Sequence, residues 1–224
     1  MTGNNDDAGR AAGLLHEGLA ALHLAVSPEA VEQLVAYLLE LRKWNRRINL
    51  VSRGVGLDEL VEKHFLDSLL LLHVLDQYPR TQGGLLDVGS GAGFPGLPLK
   101  VARPALPVTL LEPRQRRCAF LRHMARYLGL RGLEVIEGRT DDPVLEGKNF
   151  AVITGRGVAD VVSFLTMVRD LAAVPTLVVC MQGASARQQW VAAGDIPGFE
   201  RAGIERFQLP FSGARRGVLL FRKT

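Results

Sequence analysis

The sequence predicts an α/β fold, in which a mostly parallel sheet is covered by helices and ends in an antiparallel edge hairpin. From residue 85 onward, short apolar runs alternate with helical patterns, as in doubly wound folds. The last two apolar runs have only a turn between them, which is typical of a hairpin. Before residue 83 the apolar residues recur with a helical period. We therefore expect a disordered tail over 1–10, an N-terminal helical cap over 11–82 and the sheet domain over 83–224.

Three helices make up the predicted cap. The first covers residues 11–24, and the third covers 57–75. The second has a clear start signal, because Ser27 is a good N-cap and Pro28 suits the first helical position. Gln82-Gly83-Gly84 is expected to connect the cap to the sheet.

The sheet domain is predicted to contain seven strands. These are expected over 85–87, 108–112, 133–137, 150–154, 176–181, 204–209 and 217–222. The helices of this domain are expected over 95–102, 116–128 and 161–172. Pro95 would occupy the first position of its helix, where a missing N–H costs nothing.

Composition limits the class of protein. The 224 residues carry a net charge of +4 and are 47% hydrophobic, which suits a globular protein and permits a polyanionic partner. Neither a secretory signal nor an apolar run of membrane-spanning length is visible. Cys118 and Cys180 lie in apolar stretches without metal-ligand spacing, so we expect reduced thiols, a cytoplasmic location and no metal site. A monomer is the expected state.

The strand ending at Asp87 leads into a turn with glycine at positions 89, 91 and 93. Glycine allows positive φ and a close approach of the backbone to a ligand. The run from Gly91 to Gly96 matches the dinucleotide pattern G-x-G-x-x-G, but it begins two residues late. Counted from the strand end, the pattern is D-x-G-x-G-x-G, the first motif of Rossmann-like S-adenosylmethionine (AdoMet) methyltransferases. Asp87 would also repel a dinucleotide's phosphates. A glycine turn without a ligand is the remaining interpretation.

Further polar residues follow the other strands. Ligands of doubly wound folds lie beyond the carboxyl ends of the strands. Glu112 ends the second strand, where a carboxylate can accept hydrogen bonds from ribose hydroxyls. Thr140-Asp141 follows the third strand, and Asp141 could bond an adenine amine or be a turn residue. Arg156 follows the fourth strand within Thr154-Gly155-Arg156-Gly157, and it could bind a carboxylate, a phosphate or the O6/N7 edge of guanine.

Two groups of cations could contact RNA phosphates. The first, at the end of the second cap helix, comprises Arg42, Lys43, Arg46 and Arg47; the second, after the second strand, comprises Arg114, Arg116 and Arg117. A solvated helix end explains the first group equally well. Cations at a helix start are unfavourable, which favours a functional reason for the second group. In the third cap helix, His64 and Asp67 are interpreted as a structural hydrogen-bonded pair rather than a catalytic one.

Together these motifs resemble the RsmG family of 16S ribosomal RNA guanine-N7 methyltransferases, also called glucose-inhibited division protein B (GidB). The resemblance spans residues 34–222. The matching stretches are Lys43-Trp44-Asn45 with Asn49-Leu50, His64-Phe65-Leu66-Asp67-Ser68, the run from Asp87 to Leu99, Arg116-Arg117 with Phe120-Leu121, and the run from Thr154 to Ala159. The chain departs from the family at Gln182 and Arg116, where lysine is usual, and at Gly155 and Gly157, where side chains are usual.

The resemblance implies a Rossmann-like class I methyltransferase fold and AdoMet as the cofactor. It implies transfer to N7 of a guanosine in 16S ribosomal RNA or the small ribosomal subunit, without a catalytic acid–base pair. The cofactor-binding residues expected from the turn, the strand ends and the family are Asp87, Gly89, Gly91, Gly93, Phe94, Glu112, Thr140, Asp141 and Arg156. Two alternatives stay open: an RNA-binding assembly factor with a vestigial cofactor pocket, and a dinucleotide-dependent oxidoreductase.

Overall fold

The predicted α/β fold is confirmed by a computed structural model that describes residues 2–78 and 83–224. One seven-stranded sheet has the order β3-β2-β1-β4-β5-β7-β6. Its strands are β1 (Gly84–Val88), β2 (Val108–Glu112), β3 (Leu133–Glu137), β4 (Phe150–Arg156), β5 (Leu177–Gln182), β6 (Phe199–Gln208) and β7 (Arg215–Lys223). The first five are parallel, and β7 pairs antiparallel with both β5 and β6. The expected edge hairpin is therefore present.

Helices precede the sheet and connect its strands. The first are α1 (Thr2–Ala21), α2 (Pro28–Asn45), α3 (Leu57–Leu60), a π-helical segment (Val61–Leu66), α4 (Asp67–Leu69) and α5 (Leu71–Gln77). The later ones are α6 (Gly96–Ala102), α7 (Gln115–Tyr127), a 3₁₀ turn (Pro143–Leu145), α8 (Val161–Val168) and α9 (Ala186–Ala193). Ser27 caps α2 as predicted, because its hydroxyl accepts a hydrogen bond from the Ala30 N–H.

The N-terminal tail differs from the prediction. Residues 1–10 were expected to be disordered, but α1 begins at Thr2, and only Met1 of this tail lies outside the described residues. Arg10 forms an ion pair with Asp58 at 2.6 Å, and Asp7 pairs with Arg42. The paired residues lie far apart in sequence, so the polar composition of the tail does not reveal these ion pairs.

Two boundaries and one helix also differ from the prediction in the sheet domain. Strand β4 continues to Arg156, so Thr154 and Gly155 lie inside the strand rather than after it. Pro95 is the N-cap of α6 rather than its first residue. Helix α9 was not predicted, because its eight residues carry only a short apolar face.

Side chains alternate between two apolar layers along the central strands. Leu85 and Val152 belong to the layer shared with the N-terminal helices, α6 and α7. Leu86 and Ile153 belong to the layer that α8 and α9 cover. The cap therefore shares its core with the sheet. The domain boundary at residue 82 stays a prediction, because Gln82 lies outside the described residues.

Strand register brings three predicted residues to one level at the carboxyl edge of the sheet. Val88 pairs with Leu111 of β2 on one side and with Gly155 of β4 on the other. Gly89, Glu112 and Arg156 each come one residue later in their chains. The next strand along the chain, β2, lies on one side of β1, and β4 lies on the other. The carboxyl edge at β1 is therefore a topological switch point, where doubly wound folds bind ligands.

Across residues 2–78 and 83–224, none of the helices combines the length and the apolar character needed to cross a membrane.

Candidate active site

The glycine turn joins β1 to α6 and is hydrogen-bonded to the end of β2. The Gly89 N–H donates to the Leu111 carbonyl at 2.8 Å, and the Ser90 N–H donates to the same oxygen at 3.1 Å. Gly89, Gly91 and Gly93 have φ values of 68°, 59° and 97°, which side chains disfavour. A Cβ on Gly89 would also lie 2.8 Å from Cγ2 of Val158. The local geometry therefore requires glycine at position 89.

Two residues brace the turn from the side of the core. The Tyr37 hydroxyl of α2 donates to the Ala92 carbonyl, and Tyr37 is fully buried. Asp87 is also fully buried, and its Oδ2 accepts the Gly96 N–H at 2.9 Å. A Cβ on Gly93 would contact the side chains of Leu97 and Tyr37. Asp87 and Gly93 thus support the turn from behind, and neither lines the cavity described below.

Asp87 is electrostatically unusual. Burial raises the pKa of this carboxyl to about 7, although the hydrogen bond from Gly96 opposes the shift. Its second oxygen, Oδ1, has no hydrogen-bond partner among the described residues. The Asp87 carboxyl therefore titrates near neutral pH.

Glu112 connects the end of β2 to the glycine turn. Its Oε2 accepts the Gly91 N–H at 2.9 Å, and its Oε1 accepts the Arg114 N–H at 3.0 Å. Arg117 lies 4.0 Å from Oε2, and the Glu112 side chain is 2% exposed. A carboxylate has about four acceptor sites, so each oxygen can accept a further hydrogen bond.

A cavity of about 540 Å³ opens on the outer side of the turn. This volume lies within the range of small-molecule sites, about 300–1,000 Å³. Three segments of the chain and two single side chains line it. They are the glycine turn (Gly89, Ser90, Gly91, Ala92, Phe94), the end of β4 with the next residue (Arg156, Gly157), the loop 49–53, and the single side chains His64 and Arg117. The structure therefore brings Gly89, Gly91, Phe94 and Arg156 together, as predicted. Glu112 does not itself line the cavity, although its carboxylate accepts the N–H of Gly91, which does.

The loop 49–53 is a part of the cavity wall that the sequence reasoning did not assign. Asn45, at the end of α2, holds it in place. Its Oδ1 accepts the N–H of Leu50 at 2.8 Å and the N–H of Val51 at 3.0 Å. The motif Lys43-Trp44-Asn45 with Asn49-Leu50 contains both the residue that holds the loop, Asn45, and the start of the loop.

Arg156 lies at the centre of a polar network that joins the sheet to the cap. Its Nη1 donates to the Lys63 carbonyl at 2.9 Å and to Asp67 Oδ2 at 3.2 Å. Its Nη2 lies 2.9 Å from Nδ1 of His64, and its guanidinium lies 5.2 Å from the centre of the Phe94 ring. Asp67 also accepts a hydrogen bond from Arg216 Nε at 2.8 Å.

The hydrogen bonds of the described residues do not join His64 to Asp67 directly, because Arg156 lies between them. The predicted His–Asp pair is therefore part of a larger structural network. Burial lowers the pKa of His64 to about 4, and the nearby positive charge of Arg156 adds to the shift. His64 is neutral at physiological pH.

Thr140 and Asp141 lie elsewhere. They line a separate cavity of about 390 Å³ that includes Lys148 and Met167. The structure does not bring them into the cavity beside the glycine turn, so their role as adenine contacts stays a prediction.

The two predicted cation groups meet in one cleft. This arginine cleft, of about 500 Å³, is lined by Arg47, Ile48, Asn49, Arg53, Arg114, Gln115, Arg116 and Arg117. Asn49, Arg53 and Arg117 also line the cavity at the glycine turn, so the two spaces are neighbours. Arg53 completes the cleft, and the sequence reasoning did not assign it.

The remaining cations of the first group lie outside the cleft. Arg46 and Arg42 line a neighbouring space of about 430 Å³, which Arg53 also borders. Arg42 pairs with Asp7, and Lys43 pairs with Glu40 at 2.9 Å. Their charges are therefore partly compensated. Within the described residues, Arg46, Arg47, Arg114 and Arg116 have no carboxylate within 4.0 Å.

No group of three or more His, Cys, Asp or Glu side chains in the described parts of the chain is arranged to hold a metal ion.

The sheet order and the glycine turn define a class I methyltransferase fold, and solved structures share it. One is a mutant of the protein MtNAS in complex with S-adenosylmethionine, with a TM-score of 0.55 and 19% identity over 98% of both chains. Another is cofactor-bound Rv0187, with a TM-score of 0.58 and 19% identity over 84% of this chain and 88% of that one.

The sequence comparisons identify the family. The family model described as GidB, rRNA small subunit methyltransferase G, matches residues 30–212. Proteins named ribosomal RNA small subunit methyltransferase G are 37% identical in Desulfotalea psychrophila, over 93% of this chain and 96% of the relative, and 37% identical in Myxococcus xanthus, over 93% and 95%. The chain belongs to the GidB family, as the resemblance indicated.

Proposed function

We propose that this protein transfers a methyl group from AdoMet to N7 of a guanosine in 16S ribosomal RNA. The observation that carries the proposal is the joined pair of spaces at the carboxyl edge of the sheet. A cavity of cofactor size lies against the glycine turn, and the arginine cleft adjoins it through Asn49, Arg53 and Arg117.

The residues around the cavity fit AdoMet. Gly89 and Gly91 present backbone atoms to the cavity, and Phe94 adds an apolar surface. Glu112 retains acceptor sites for ribose hydroxyls beyond the two backbone N–H groups that it already accepts. We assign the adenine contact to Thr140 and Asp141, as a proposal that requires the two cavities to be connected when ligand binds. Bound AdoMet supplies a methyl group on a positively charged sulfonium.

The chemistry asks little of the side chains. Guanine N7 has a lone pair and no proton, so the reaction requires no general base. The protein must hold N7 in line with the methyl group and exclude water, and positioning of this kind can supply much of a rate enhancement. We therefore assign no catalytic acid or base.

RNA recognition is assigned to the arginine cleft. Arg47, Arg114 and Arg116 are exposed and lie where a phosphate backbone would pass the cavity. The target guanosine must be unpaired or splayed out, because the major groove of A-form RNA is too narrow for side chains to enter. Ribosomal RNA places the reaction in the cytoplasm. We propose that the protein acts as a monomer.

The oxidoreductase alternative meets a physical obstacle. A dinucleotide places its pyrophosphate at the N-terminus of the helix after the glycine turn. In this chain the Gly96 N–H at the start of α6 donates to the buried Asp87 carboxylate. This N–H is therefore not free to bind a pyrophosphate.

Methylation of small ribosomal subunits that lack the modification tests the proposal. The protein is incubated with tritiated AdoMet and the labelled base is mapped. We expect label on one guanosine, as N7-methylguanosine. Glu112→Gln should lose most of this activity, because its amide NH₂ would face one of the two N–H groups that Glu112 now accepts. Glu137→Gln, at the end of the neighbouring strand β3, is the matched control.

AdoMet binding without any transfer would instead support the assembly factor with a vestigial pocket. Stabilisation by NADH rather than AdoMet in a melting experiment would support the oxidoreductase.

A further inference from the structure

His64 is fixed in the wall of the cavity. It belongs to the π-helical segment, its ring lies 5.1 Å from that of Phe94 between centroids, and it lines the same cavity as Gly89 and Gly91. Arg156 holds it from the sheet side through the 2.9 Å contact with Nδ1. The imidazole therefore has a defined orientation next to the proposed methyl-transfer site.

The partner of Nδ1 determines where the proton of His64 lies. An arginine guanidinium stays protonated and can only donate, so Nδ1 must accept with its lone pair. A neutral imidazole then carries its proton on Nε2. Within residues 2–78 and 83–224, Nε2 of His64 has no hydrogen-bond partner. His64 is thus a neutral imidazole whose tautomer is fixed by Arg156, and it offers one N–H donor, at Nε2.

The chemistry of guanine limits how the base can be recognised in this reaction. Guanine presents acceptors at O6 and N7, whereas adenine presents an N6–H₂ donor in place of O6. A group bonded to N7 would occupy the lone pair that must attack the methyl group. Arg156 is therefore unsuitable as a bidentate O6/N7 contact, and the hydrogen bonds of its Nη atoms already bind it to the cap.

We propose that the Nε2–H of His64 donates a hydrogen bond to O6 of the target guanine and so selects guanine over adenine. The proposal rests on the proposed function. A single donor at O6 leaves N7 free. In adenine, the same Nε2–H would face the N6–H₂ donor, so no hydrogen bond could form. A neutral donor also avoids placing a further charge beside the base, on whose imidazole ring positive charge develops during methylation. Arg156 acts as a positioning residue, because it fixes the tautomer and the ring.

A combined change in enzyme and substrate tests this contact. Small-subunit RNA is prepared with guanosine, inosine or 2-aminopurine riboside at the target position. Inosine retains O6 and N7, whereas 2-aminopurine retains N7 and lacks O6. The values of kcat/KM are measured for the wild type and for His64→Phe, which keeps an aromatic ring without the donor. His64→Gln keeps an amide donor and is the conservative control. AdoMet affinity and melting temperature are measured for each protein.

We expect His64→Phe to lower kcat/KM for guanosine and inosine about tenfold and to leave 2-aminopurine unchanged, since the variant loses a hydrogen bond and leaves the O6 acceptor unpaired. For each base, the ratio of the kcat/KM of the variant to that of the wild type is compared, so the intrinsic reactivity of the base cancels. His64→Gln should recover part of the preference for O6.

Two results would overturn the contact while the proposed function stands. An equal loss on all three substrates would show that His64 only supports the structure. A loss of AdoMet affinity with an unchanged preference for O6 would show that the donor serves the cofactor's carboxylate. A wild-type protein that labels no guanosine would overturn the proposed function itself, and this contact with it.

Discussion

Two buried carboxylates at neighbouring strand ends have different roles because their hydrogen bonds differ. Glu112 accepts backbone N–H groups on both oxygens, and it reaches the turn at Gly91. Asp87 accepts one backbone N–H with its carboxylate, and its other oxygen is unpartnered among the described residues. Burial without full compensation disfavours the charged form. Both acids were predicted as cofactor contacts, with Glu112 on the ribose. Their surroundings make Asp87 a support of the turn and leave Glu112 as the candidate ribose ligand.

Asp87 should make the protein less stable as the pH rises. Its pKa is about 7 in the folded protein, against about 3.9 for an unperturbed aspartate. Between these values the folded state binds more protons than the unfolded state, so stability falls from pH 4 to pH 7 and is constant above that range. Each pKa unit corresponds to about 1.4 kcal/mol. Asp87→Asn should remove this slope, as measured by urea unfolding at several pH values.

His64 contributes a slope of the opposite sign over part of this range. Its pKa is lowered to about 4 from 6.5, so the unfolded state binds the proton first as the pH falls. His64 therefore adds stability as the pH rises from 4 to 6.5. The difference between the unfolding free energies of the wild type and of Asp87→Asn at each pH isolates the contribution of Asp87, because His64 is present in both proteins. Parallel stability curves for the two proteins would show that Asp87 is ionised throughout.

Gly89→Ala tests the close approach at the turn. The substitution strains the backbone at φ 68° and places Cβ against Val158. We expect a loss of stability of about 1–2 kcal/mol from the left-handed conformation, and at least about tenfold weaker AdoMet binding, or 1.4 kcal/mol. Calorimetry measures the affinity.

Gly129→Ala is the matched control for this substitution. Gly129 has a φ of 63° and follows α7, but a Cβ there would meet no atom within 4 Å. It should lose similar stability while its AdoMet affinity stays at the wild-type value. A folded Gly89→Ala protein that also binds AdoMet normally would mean that this turn does not border the cofactor.

At the scale of elements, helix α2 contributes to the site from a distance in sequence. Its N-cap at Ser27 and its period could be predicted, because both are local signals. Its contact with the glycine turn through Tyr37, 55 residues before Ala92, could not, because apolar periodicity marks a buried face without naming its neighbour. The π-helical segment was likewise predicted only as helix, although it carries His64 and the carbonyl of Lys63 that Arg156 binds.

Tyr37→Phe tests the coupling between α2 and the turn. It removes the hydroxyl that donates to the Ala92 carbonyl and leaves that buried acceptor unpaired, which costs about 1–3 kcal/mol. We expect a lower melting temperature and several-fold weaker AdoMet binding, because the turn loses a support. Tyr127→Phe, on a side chain that is 52% exposed, should change neither quantity. Unchanged AdoMet affinity in Tyr37→Phe would show that the turn keeps its shape without α2.

For the whole molecule, the sequence predicted which residues stand at the strand ends better than it predicted the shape of the site. Glu112 and Arg156 lie level with Gly89 because strand register places them there. Each stands at or just after the end of an apolar run that is visible in the sequence. The loop 49–53 and the separate cavity at Thr140 depend on packing between distant segments, which spacing along the chain does not encode. The two cation groups were treated as alternative RNA surfaces, whereas packing of the cap on the sheet domain combines members of both in the arginine cleft.

The arginine cleft predicts how RNA binding depends on salt. Arg47 of the cap and Arg116 of α7 are exposed and line it together, and Arg116 stands at a helix start, where a cation is unfavourable without an anion to bind. Each phosphate contact contributes about 0.7–0.9 to the slope of log affinity against log salt. Arg47→Ala/Arg116→Ala should therefore weaken binding to ribosomal RNA and reduce the slope by about 1.4–1.8. AdoMet affinity should stay unchanged, because neither residue lines the cavity at the glycine turn.

Arg126→Ala/Arg131→Ala removes the same charge from the other end of α7, where both side chains are also exposed. The step of ten residues from Arg116 to Arg126 spans about 15 Å of helix, which exceeds the screening length of about 8 Å at physiological salt. This control should keep the wild-type slope if phosphates are bound in the cleft. Equal changes in both double variants would mean that net charge alone attracts the RNA. An unchanged slope in Arg47→Ala/Arg116→Ala would move the RNA path to the space bordered by Arg42, Arg46 and Arg53.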